Sequence, residues 1–422
     1  MNVTIHHSLL HDDAEVVIPP SKSLLHRALI TAALAEGKSC IQNVSYNQDI
    51  EATIRSLQAF GCHFEKKDND LYVEGTGGHL HYDKKVIDCG ESGSTLRFLI
   101  PVAALLNEPV TFTGHGRLMQ RPQDVYAELF KEKGLLFKQN PDSITAQGPL
   151  PSGEYTVRGD VSSQFITGLL LALPLCDGDS HICILPPFES SSYVGLSLEA
   201  VHHAGVLAEF QDYDLFINGN QSYHAFSDRI AGDDSQAAFF TELAGLTHKT
   251  ITVRNISHHS IQGDHVILSL FEKSGGVVKE TEDGYALTGG NMHGIHADLS
   301  DCPDLGPALF ASASQYEGTS VFTGCERLRI KESDRITCME EELHKLGCSI
   351  TSDGGTVTVI GKHGIQDHVV LNGHNDHRIV MALSILALMG NDITMEGAEA
   401  VNKSYPDFFR DIERIGVNIS YD

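Results

Sequence analysis

The sequence has no tryptophan, and its nine cysteines include no pair at CxxC spacing. Neither a zinc ribbon nor a disulfide framework is therefore indicated. A Walker A loop, a Rossmann glycine fingerprint, a GxSxG nucleophile and an HExxH metal motif are also missing. These absences predict a protein that uses neither a metal nor an organic cofactor.

Positive charge is scarce, because 30 Lys and Arg face 56 Asp and Glu, for a net charge of -26. Nucleic acids and anionic membranes require a basic face, so neither is expected as a partner. The longest apolar runs, Phe98–Leu106 and Phe165–Leu175, are too short to span a bilayer. The first residues also lack a basic and then apolar signal sequence. A reduced cytoplasmic location is expected.

A repeat of about 70 residues runs through the chain. Ala/Leu-rich helical segments with a small polar start recur at Ser21, Glu91, Ser162, Asp234, Asp304 and Asn375. Glycines that end a second helix recur at Gly61, Gly134, Gly205, Gly275, Gly347 and Gly416. β-branched segments lie between the helices and after each glycine, so each repeat is predicted to be roughly α-β-α-β-β.

A chain of 422 residues exceeds the usual size of one hydrophobic core. Three repeats per domain give one domain over 21–230 and a second over 1–20 plus 231–422. The segment before Ser21 belongs to no repeat and is predicted to pair with the second domain.

The strongest functional pattern is Lys331-Glu332-Ser333-Asp334-Arg335. A helical pattern follows it, with Asp334 as the predicted N-cap. Arg335 then falls in the first turn, where the helix dipole disfavours a cation by roughly 0.3–1 kcal/mol. Lys22 and Arg378 stand at similar helix starts. A solvated surface charge explains any one of them, but three at equivalent repeat positions favour a site for a multiply charged anion.

Further candidates lie in loops at equivalent positions of other repeats. Arg121 belongs to the loop Gly114–Pro122, and Lys403 to the loop that begins at Val401. Arginine and lysine suit phosphate and carboxylate groups. Asp304 is either a helix N-cap or a catalytic carboxylate. Glu332 either balances charge or serves in acid–base chemistry.

The chain resembles the 5-enolpyruvylshikimate-3-phosphate synthase family over essentially its whole length. The motifs that carry the resemblance are Pro20-Ser-Lys-Ser23 with Arg27, Gly93-Ser-Thr-Leu-Arg97, Arg121-Pro122, Ser162-Ser-Gln164, Pro303-Asp304, Lys331–Arg335, Asn375-Asp-His-Arg378, and Lys403 through Asp407. The resemblance implies an α/β fold with two pseudo-symmetric domains, each of three βαβαββ units, in an inside-out barrel arrangement. An active site in the cleft between these domains is also what the family resemblance implies.

The resemblance also implies the reaction. The family transfers the enolpyruvyl group of phosphoenolpyruvate to the 5-hydroxyl of shikimate 3-phosphate, without metal or cofactor. The implied phosphoenolpyruvate-binding residues are Lys22, Gly93, Arg121, Gln164, Arg335, Arg378 and Lys403. The implied shikimate 3-phosphate-binding residues are Lys22, Ser23, Arg27, Ser162, Ser163, Gln164, Ser190, Tyr193, Asp304 and Lys331. Asp304 is the implied base, Glu332 the implied proton donor, and Lys22 a third catalytic residue. The partners are these two small molecules, and a monomer is expected.

Two segments depart from the family pattern. Glu91 replaces an asparagine and Phe98 a proline near the phosphoenolpyruvate-binding residues, while Ser190-Ser-Ser-Tyr193 replaces Ser-Lys-Pro-Tyr. Three alternatives remain. The sister enzyme that uses a UDP-sugar usually has a cysteine in the loop before Arg-Pro, and Gly114–Pro122 has none. The others are an RNA-end-processing cyclase and a non-catalytic anion-binding repeat protein.

Overall fold

The computed structural model describes residues 1–83, 86–362 and 364–422. These residues form two compact units. The contiguous unit is Pro20–Ile230, and the discontinuous unit is Met1–Pro19 together with Ala231–Asp422.

Helices and strands alternate throughout the described chain. The α-helices are α1 (Lys22–Leu34), α2 (Gln48–Gln58), α3 (Gly93–Ala103), α4 (Asp124–Glu132), α5 (Ser163–Ala172), α6 (Ser191–His203), α7 (Asp234–Thr247), α8 (Ile267–Lys273), α9 (Gly306–Ala313), α10 (Arg335–Lys345), α11 (His377–Ala387) and α12 (Phe408–Arg414). Short 3-10 helices lie at Leu118–Gln120, Leu173–Leu175, Gly263–Val266, Pro303–Leu305, Glu326–Ile330 and Ala398–Lys403.

The strands are short, as expected for sheets built from repeats. They are β1 (Asn2–Ile5), β2 (Ala14–Val17), β3 (Lys38–Gln42), β4 (His63–Lys67), β5 (Asp70–Glu74), β6 (Ile87–Asp88), β7 (Val110–Thr113), β8 (Leu136–Gln139), β9 (Ser143–Gln147), β10 (Gly153–Arg158), β11 (Ser180–Leu185), β12 (Ala208–Gln211), β13 (Asp214–Ile217), β14 (Ser227–Arg229), β15 (Thr250–Arg254), β16 (Val277–Thr281), β17 (Gly284–Thr288), β18 (His296–Asp298), β19 (Thr319–Thr323), β20 (Ser349–Asp353), β21 (Thr356–Ile360), β22 (Val370–Asn372), β23 (Ile393–Glu396) and β24 (Ile419–Tyr421).

The strands form six four-stranded sheets with one shared pattern. In the contiguous unit the orders are β14-β3-β5-β4, β6-β7-β9-β8 and β10-β11-β13-β12; in the discontinuous unit they are β2-β15-β17-β16, β18-β19-β21-β20 and β22-β23-β1-β24. The first pair of each sheet is parallel and the other pairs are antiparallel. The predicted α-β-α-β-β repeat is confirmed, with a parallel edge strand added to each sheet.

The first residues of the chain complete two sheets of the discontinuous unit. Strand β2 pairs in parallel with β15, and β1 lies between β23 and β24. The prediction that the segment before Ser21 pairs with the second half of the chain is therefore confirmed.

The helices differ in burial according to their place in the repeat. Helices α3, α9 and α11 are buried on almost every side, as their apolar sequences require. The second helices α2, α4 and α10 bury one face only. Each second helix is followed by its repeat glycine, and all six glycines have positive φ, between 69° and 110°. A left-handed glycine after a helix satisfies terminal carbonyls and turns the chain into the next strand.

Several predicted helix starts need correction. The N-caps of α3, α7 and α11 are Ser92, Asp233 and Asp376, each one residue from the predicted start. Asp304 is not an N-cap but lies in the 3-10 helix Pro303–Leu305. Its carboxylate instead contacts the side chains of Lys331, Arg335 and Arg378. Asp334 does cap α10, accepting the Thr337 N–H at 3.1 Å.

All nine cysteines are free thiols. Among the residues that the structure describes, no helix combines the length and apolar character needed to cross a bilayer.

Candidate active site

Asp304 lies at the centre of a cluster of three cations in the discontinuous unit. Its Oδ1 accepts from Arg335 Nη1 at 2.8 Å and from Lys331 Nζ at 3.3 Å. Its Oδ2 accepts from Arg378 Nη2 at 3.0 Å, and its backbone carbonyl accepts from Arg378 Nη1 at 3.2 Å. Two repeats contribute to this cluster, since the 3-10 helix before α9 and the start of α10 belong to the fifth repeat and the start of α11 belongs to the sixth.

Arg335 is fully buried and touches three carboxylates. Its Nε donates to Asp376 Oδ2 at 2.8 Å, and its Nη2 donates to Glu332 Oε2 at 2.8 Å. Asp376 also accepts from Ser333 Oγ at 3.0 Å and caps α11 through the Arg378 N–H at 3.0 Å. Asp376 therefore joins the starts of α10 and α11 and fixes the plane of the Arg335 guanidinium.

The charges of this cluster shift its pKa values strongly. Burial raises the pKa of the Asp304 carboxyl, but Arg378, Lys331 and Arg335 outweigh burial and hold it well below its usual range. Burial likewise opposes ionisation of Asp376, but Arg335 lowers its pKa to about 2. Burial lowers the pKa of Lys331 to about 8, although Asp304 partly offsets it. The cluster thus holds ionised carboxylates beside a lysine that titrates near neutral pH.

Lys403 and Glu332 complete the predicted residues of this unit. Lys403 Nζ donates to the carbonyl of Asn375, three residues before Arg378 of α11. Glu332 is mostly buried, with 17% of its side chain exposed. The structure therefore brings together Asp304, Lys331, Glu332, Arg335 and Arg378, and ties Lys403 to the start of the same helix α11.

In the contiguous unit, Lys22 is the first residue of α1 and forms an ion pair with Asp49 of α2. The distance from Lys22 Nζ to Asp49 Oδ2 is 2.8 Å, and both side chains are mostly buried. Ser21 caps the helix, so Ser23 and Lys22 both lie in its first turn. This places a cation beside the unpaired N–H groups of a helix start.

Arg27 is buried and its donors are directed to protein oxygens. Nε donates to Ser197 Oγ at 2.8 Å, Nη1 to the Ser23 carbonyl at 2.7 Å, and Nη2 to the Tyr193 carbonyl at 2.8 Å. Its guanidinium also lies over the Phe98 ring, 5.2 Å from the centroid. Burial lowers the pKa of Arg27 to about 10. Arg27 thus connects two of the predicted substrate-binding residues, Ser23 and Tyr193.

Gly93, Arg121 and Gln164 lie together at the starts of α3 and α5. A Cβ on Gly93 would lie 2.6 Å from Arg121 Nη1 and 3.4 Å from Gln164 Oε1, so a side chain at this position would require the Arg121 guanidinium to shift. Arg97 holds Gln164 through Nη1 at 2.9 Å, and Gln164 Nε2 donates to Ser94 Oγ at 2.9 Å. Three predicted residues from two repeats therefore converge.

The predicted serines lie at two further helix starts. Ser162 caps α5 by accepting the Gln164 N–H at 3.3 Å, and Ser163 is the first residue of that helix. Ser190 precedes α6 in a left-handed conformation, with φ of 55°. Glu91, which departs from the family pattern, has its carboxylate beside Gly116. A Cβ on Gly116 would lie 2.4 Å from Glu91 Oε2.

A chain of buried hydroxyls ties the helices of this unit together. His26 Nδ1 lies 2.8 Å from Thr53 Oγ1, which lies 2.6 Å from Thr95 Oγ1, and Thr95 Oγ1 donates to Ser92 Oγ at 2.7 Å. Burial, and then the charge of Lys22, lower the pKa of His26 well below its usual value. A neutral His26 therefore connects α1 through α2 to the cap of α3, which carries Gly93.

Three functional residues were not assigned from the sequence: Asp376, Asp49 and Arg97. Asp376 and Arg97 stand inside motifs of which only Arg378 and Gly93 received roles. Asp49 lies outside all of those motifs. The feature that could have identified them in the sequence is their charge near a predicted anion site, where each buried cation requires a counterion.

One group of side chains has the composition of a metal site. Ligand atoms of Glu341, Glu342 and His374 lie within 4.8 Å of one another. Glu342, however, already accepts from Lys345 Nζ at 2.8 and 2.9 Å and from the Asn372 N–H at 2.9 Å, and it contacts His374 at 2.8 Å. These contacts account for the group as an ion-pair network.

Two solved structures share this fold. An EPSP synthase from Acinetobacter baumannii matches with a TM-score of 0.82 over 100% of both chains, at 24% identity. The enolpyruvyl transferase NikO from Streptomyces tendae matches with a TM-score of 0.80 over 100% of this chain and 98% of its own, at 15% identity. The predicted α/β fold of two three-repeat domains is confirmed.

Sequence comparison gives the family. The model of EPSP synthase (3-phosphoshikimate 1-carboxyvinyltransferase) matches residues 12–412. The 3-phosphoshikimate 1-carboxyvinyltransferases of Clostridium kluyveri and Clostridium novyi are 42% and 41% identical to this chain. The alignments cover 96% of this chain, and 96% and 95% of the two relatives. The chain belongs to the EPSP synthase family.

Proposed function

We propose that this chain transfers the enolpyruvyl group of phosphoenolpyruvate to the 5-hydroxyl of shikimate 3-phosphate and releases phosphate, through the residues assigned below. The overall reaction is that of its family. The observation that carries the residue assignment is the contact of one carboxylate, Asp304, with Lys331, Arg335 and Arg378. Such a cluster provides both a base and a binding site for anions.

The cations bind the substrates in this proposal. Arg335, Arg378, Lys403, Lys22 and Arg121, with Gly93 and Gln164, bind phosphoenolpyruvate. Arg27, Ser23, Ser162, Ser163, Ser190, Tyr193, Gln164, Lys22 and Lys331 bind shikimate 3-phosphate, together with Asp304. Helix starts and guanidinium groups both favour phosphate oxygens, which supports these assignments.

Asp304 and Glu332 are assigned the proton transfers. The 5-hydroxyl oxygen bonds to the central carbon of phosphoenolpyruvate while Asp304 accepts its proton and Glu332 protonates the methylene carbon. The tetrahedral intermediate then loses phosphate, and the methyl carbon returns a proton to restore the double bond. The surrounding cations stabilise the anionic groups throughout, and Lys22 is proposed to assist the transfer.

The proposed partners and location are those of a small-molecule enzyme. Phosphoenolpyruvate and shikimate 3-phosphate are the proposed substrates. The enzyme is proposed to be a monomer in the cytoplasm. Nine free thiols support a reducing compartment.

The reaction is tested by measuring phosphate release from phosphoenolpyruvate. Release is expected with shikimate 3-phosphate and not with UDP-N-acetylglucosamine. Asp304→Ala should keep its fold by circular dichroism and lose turnover by roughly 10²-fold or more. Glu272→Ala, at an exposed position of α8, is the matched control and should keep turnover. Folded protein without release, or Asp304→Ala with near-normal turnover, contradicts the proposal.

A further inference from the structure

The cations assigned to phosphoenolpyruvate already contact oxygens of the protein. The Asp304 carboxylate contacts Arg335 at 2.8 Å and Arg378 at 3.0 Å, one through each oxygen. Glu332 contacts Arg335 at 2.8 Å. A carboxylate held by two guanidinium groups has the same contacts that a substrate carboxylate or phosphate would make.

The formal charges in this cluster cancel. Lys331, Arg335 and Arg378 supply three positive charges, and Asp304, Glu332 and Asp376 supply three negative charges. Arg327 also acts on Lys331, Asp233 and Asp264 act on Arg378, and His377 acts on Asp376. Among these six groups an incoming anion meets no excess of positive charge, so an anion that contacts Arg335 and Arg378 competes with the carboxylates that already hold them.

We propose that Asp304 is a built-in competitor for the anion-binding site, and that an arriving substrate anion displaces it from Arg335 and Arg378. This inference rests on the proposed function and adds to the same site a competition between Asp304 and the substrate anion. In the structure, the Asp304 carboxylate makes the contacts with Arg335 and Arg378 that the anion would make. Once the anion binds the two arginines, the carboxylate is released to act as the base.

Asp304 is the carboxylate suited to this exchange. Asp376 is fully buried, caps α11 and accepts from Ser333, so its removal would break a helix start. Asp304 has 19% of its side chain exposed, and its carboxylate has no capping role. Its backbone belongs to a 3-10 helix of only three residues, Pro303–Leu305.

The exchange also reconciles the charge environment with catalysis. A general base is most effective when its pKa lies near the working pH. In the substrate-free cluster the cations hold the pKa of Asp304 far below that range, despite burial. Transfer of the Arg335 and Arg378 contacts to a substrate anion removes two of the three cations that lower this pKa, so it rises. Binding thereby prepares the base.

The contiguous unit repeats the arrangement independently. Lys22, which is also assigned to the substrates, is held by the Asp49 carboxylate at 2.8 Å. Both side chains are mostly buried, so the pair is shielded from solvent. A cation with an internal counterion thus occurs in each unit.

The test measures the binding of phosphoenolpyruvate and of inorganic phosphate by titration calorimetry. Asp304→Asn keeps the size of the side chain and removes its charge. We expect this variant to bind both anions about tenfold more tightly than the wild type, which corresponds to about 1.4 kcal/mol, while losing turnover. Glu332→Gln, which frees one contact of Arg335, should tighten binding by a smaller factor. Glu272→Gln makes the same charge change on the exposed face of α8 and should bind like the wild type.

Tighter binding by Asp304→Asn supports the inference, and equal or weaker binding overturns it. Circular dichroism verifies the fold, and if Asp304→Asn does not fold, Glu332→Gln decides by the same criterion. Phosphate binding requires no turnover. A wild type that releases no phosphate from phosphoenolpyruvate would therefore contradict the proposed function, separately from the result for Asp304→Asn.

Discussion

Asp376 illustrates how a single buried carboxylate serves both structure and function. It contacts Arg335 at 2.8 Å, accepts from Ser333, and caps the helix that carries Arg378. Removing one partner of a buried ion pair typically costs about 3–5 kcal/mol, because the other charge is left without compensation. Asp376 is therefore a positioning residue for two cations of the proposed phosphoenolpyruvate site.

The first prediction concerns Asp376→Asn, which keeps a capping acceptor but removes the charge beside Arg335. We expect kcat/KM for phosphoenolpyruvate to fall by about 10²-fold, because misplacement of a binding group has effects of this size. KM for shikimate 3-phosphate should change little. Ser333→Ala removes only the 3.0 Å hydroxyl contact and should cost much less. Equal rises in both KM values would contradict a specific role in placing Arg335.

The second prediction concerns Lys331, whose pKa burial lowers to about 8. As the pH rises through this value the ammonium loses its charge, so kcat/KM for shikimate 3-phosphate should decline above about pH 8. Lys331→Arg keeps its charge there, and its decline should begin at higher pH. The unfolded chain holds the Lys331 proton up to about 10.5, so this group's contribution to stability increases with pH between the two values.

The pH profiles of wild type and Lys331→Arg provide the measurement. Only the position of the alkaline decline matters, because the substitution also changes the absolute rate. Identical declines in the two proteins would assign that ionisation to another group.

Helix ends set the geometry at the scale of elements. The six repeat glycines all adopt positive φ, so each second helix ends in the same way and leads into an antiparallel pair of strands. What surrounds each glycine differs. A Cβ on Gly347 would meet the flexible Gln366 side chain at 3.3 Å, whereas one on Gly275 would meet the Asn291 carbonyl at 2.4 Å.

The third prediction compares Gly347→Ala with Gly275→Ala, both in the discontinuous unit. A left-handed alanine costs about 1–2 kcal/mol relative to glycine, and we expect Gly347→Ala to show this loss. Gly275→Ala should lose more, because the backbone at Asn291 must move. Chemical denaturation followed by circular dichroism measures both. An equal effect of the two variants would mean that the backbone near Asn291 adjusts freely.

The elements show which features a sequence can predict. The repeat glycines were found because a left-handed helix end favours one residue type, and this requirement is local. The strands Val110–Thr113 and Thr356–Ile360 lie where β-branched residues were expected, between the helices and after a repeat glycine, and this preference is local too. The contacts of Asp304 were not predictable in this way, since Arg378 lies 74 residues away in another repeat. An aspartate after a proline turn is typical of a helix N-cap in sequence. Only the structure shows that the Asp304 carboxylate contacts Lys331, Arg335 and Arg378 instead.

At the scale of the whole molecule, the chain begins in the unit in which it also ends. Strand β2 buries Val16 against the core of the discontinuous unit, whereas the neighbouring Val17 is 59% exposed. Alternate residues of a strand face opposite sides of the sheet, so a substitution should act on one and not on the other.

The fourth prediction uses this pair. Val16→Asp buries an uncompensated charge and should destabilise the discontinuous unit by about 3 kcal/mol or more. Val17→Asp is the matched control and should stay within about 0.5 kcal/mol of the wild type. Limited proteolysis with mass spectrometry should find new Val16→Asp cleavage sites in residues 231–422 and not in 20–230. Cleavage spread equally over both units would contradict an effect confined to one.

The pairing of β1 with β24 has a consequence for synthesis on the ribosome. His6 contacts Ser420, 414 positions later, and β1 pairs with β23 and β24, so the first strand has no partner until those strands have been translated. At about 5–20 residues per second, this delay is on the order of 20–80 seconds. The contiguous unit can fold during that time, while Val3 and Ile5, which are buried in the finished protein, stay exposed as nascent chain. These strands are therefore natural binding sites for a chaperone that acts before the chain is released.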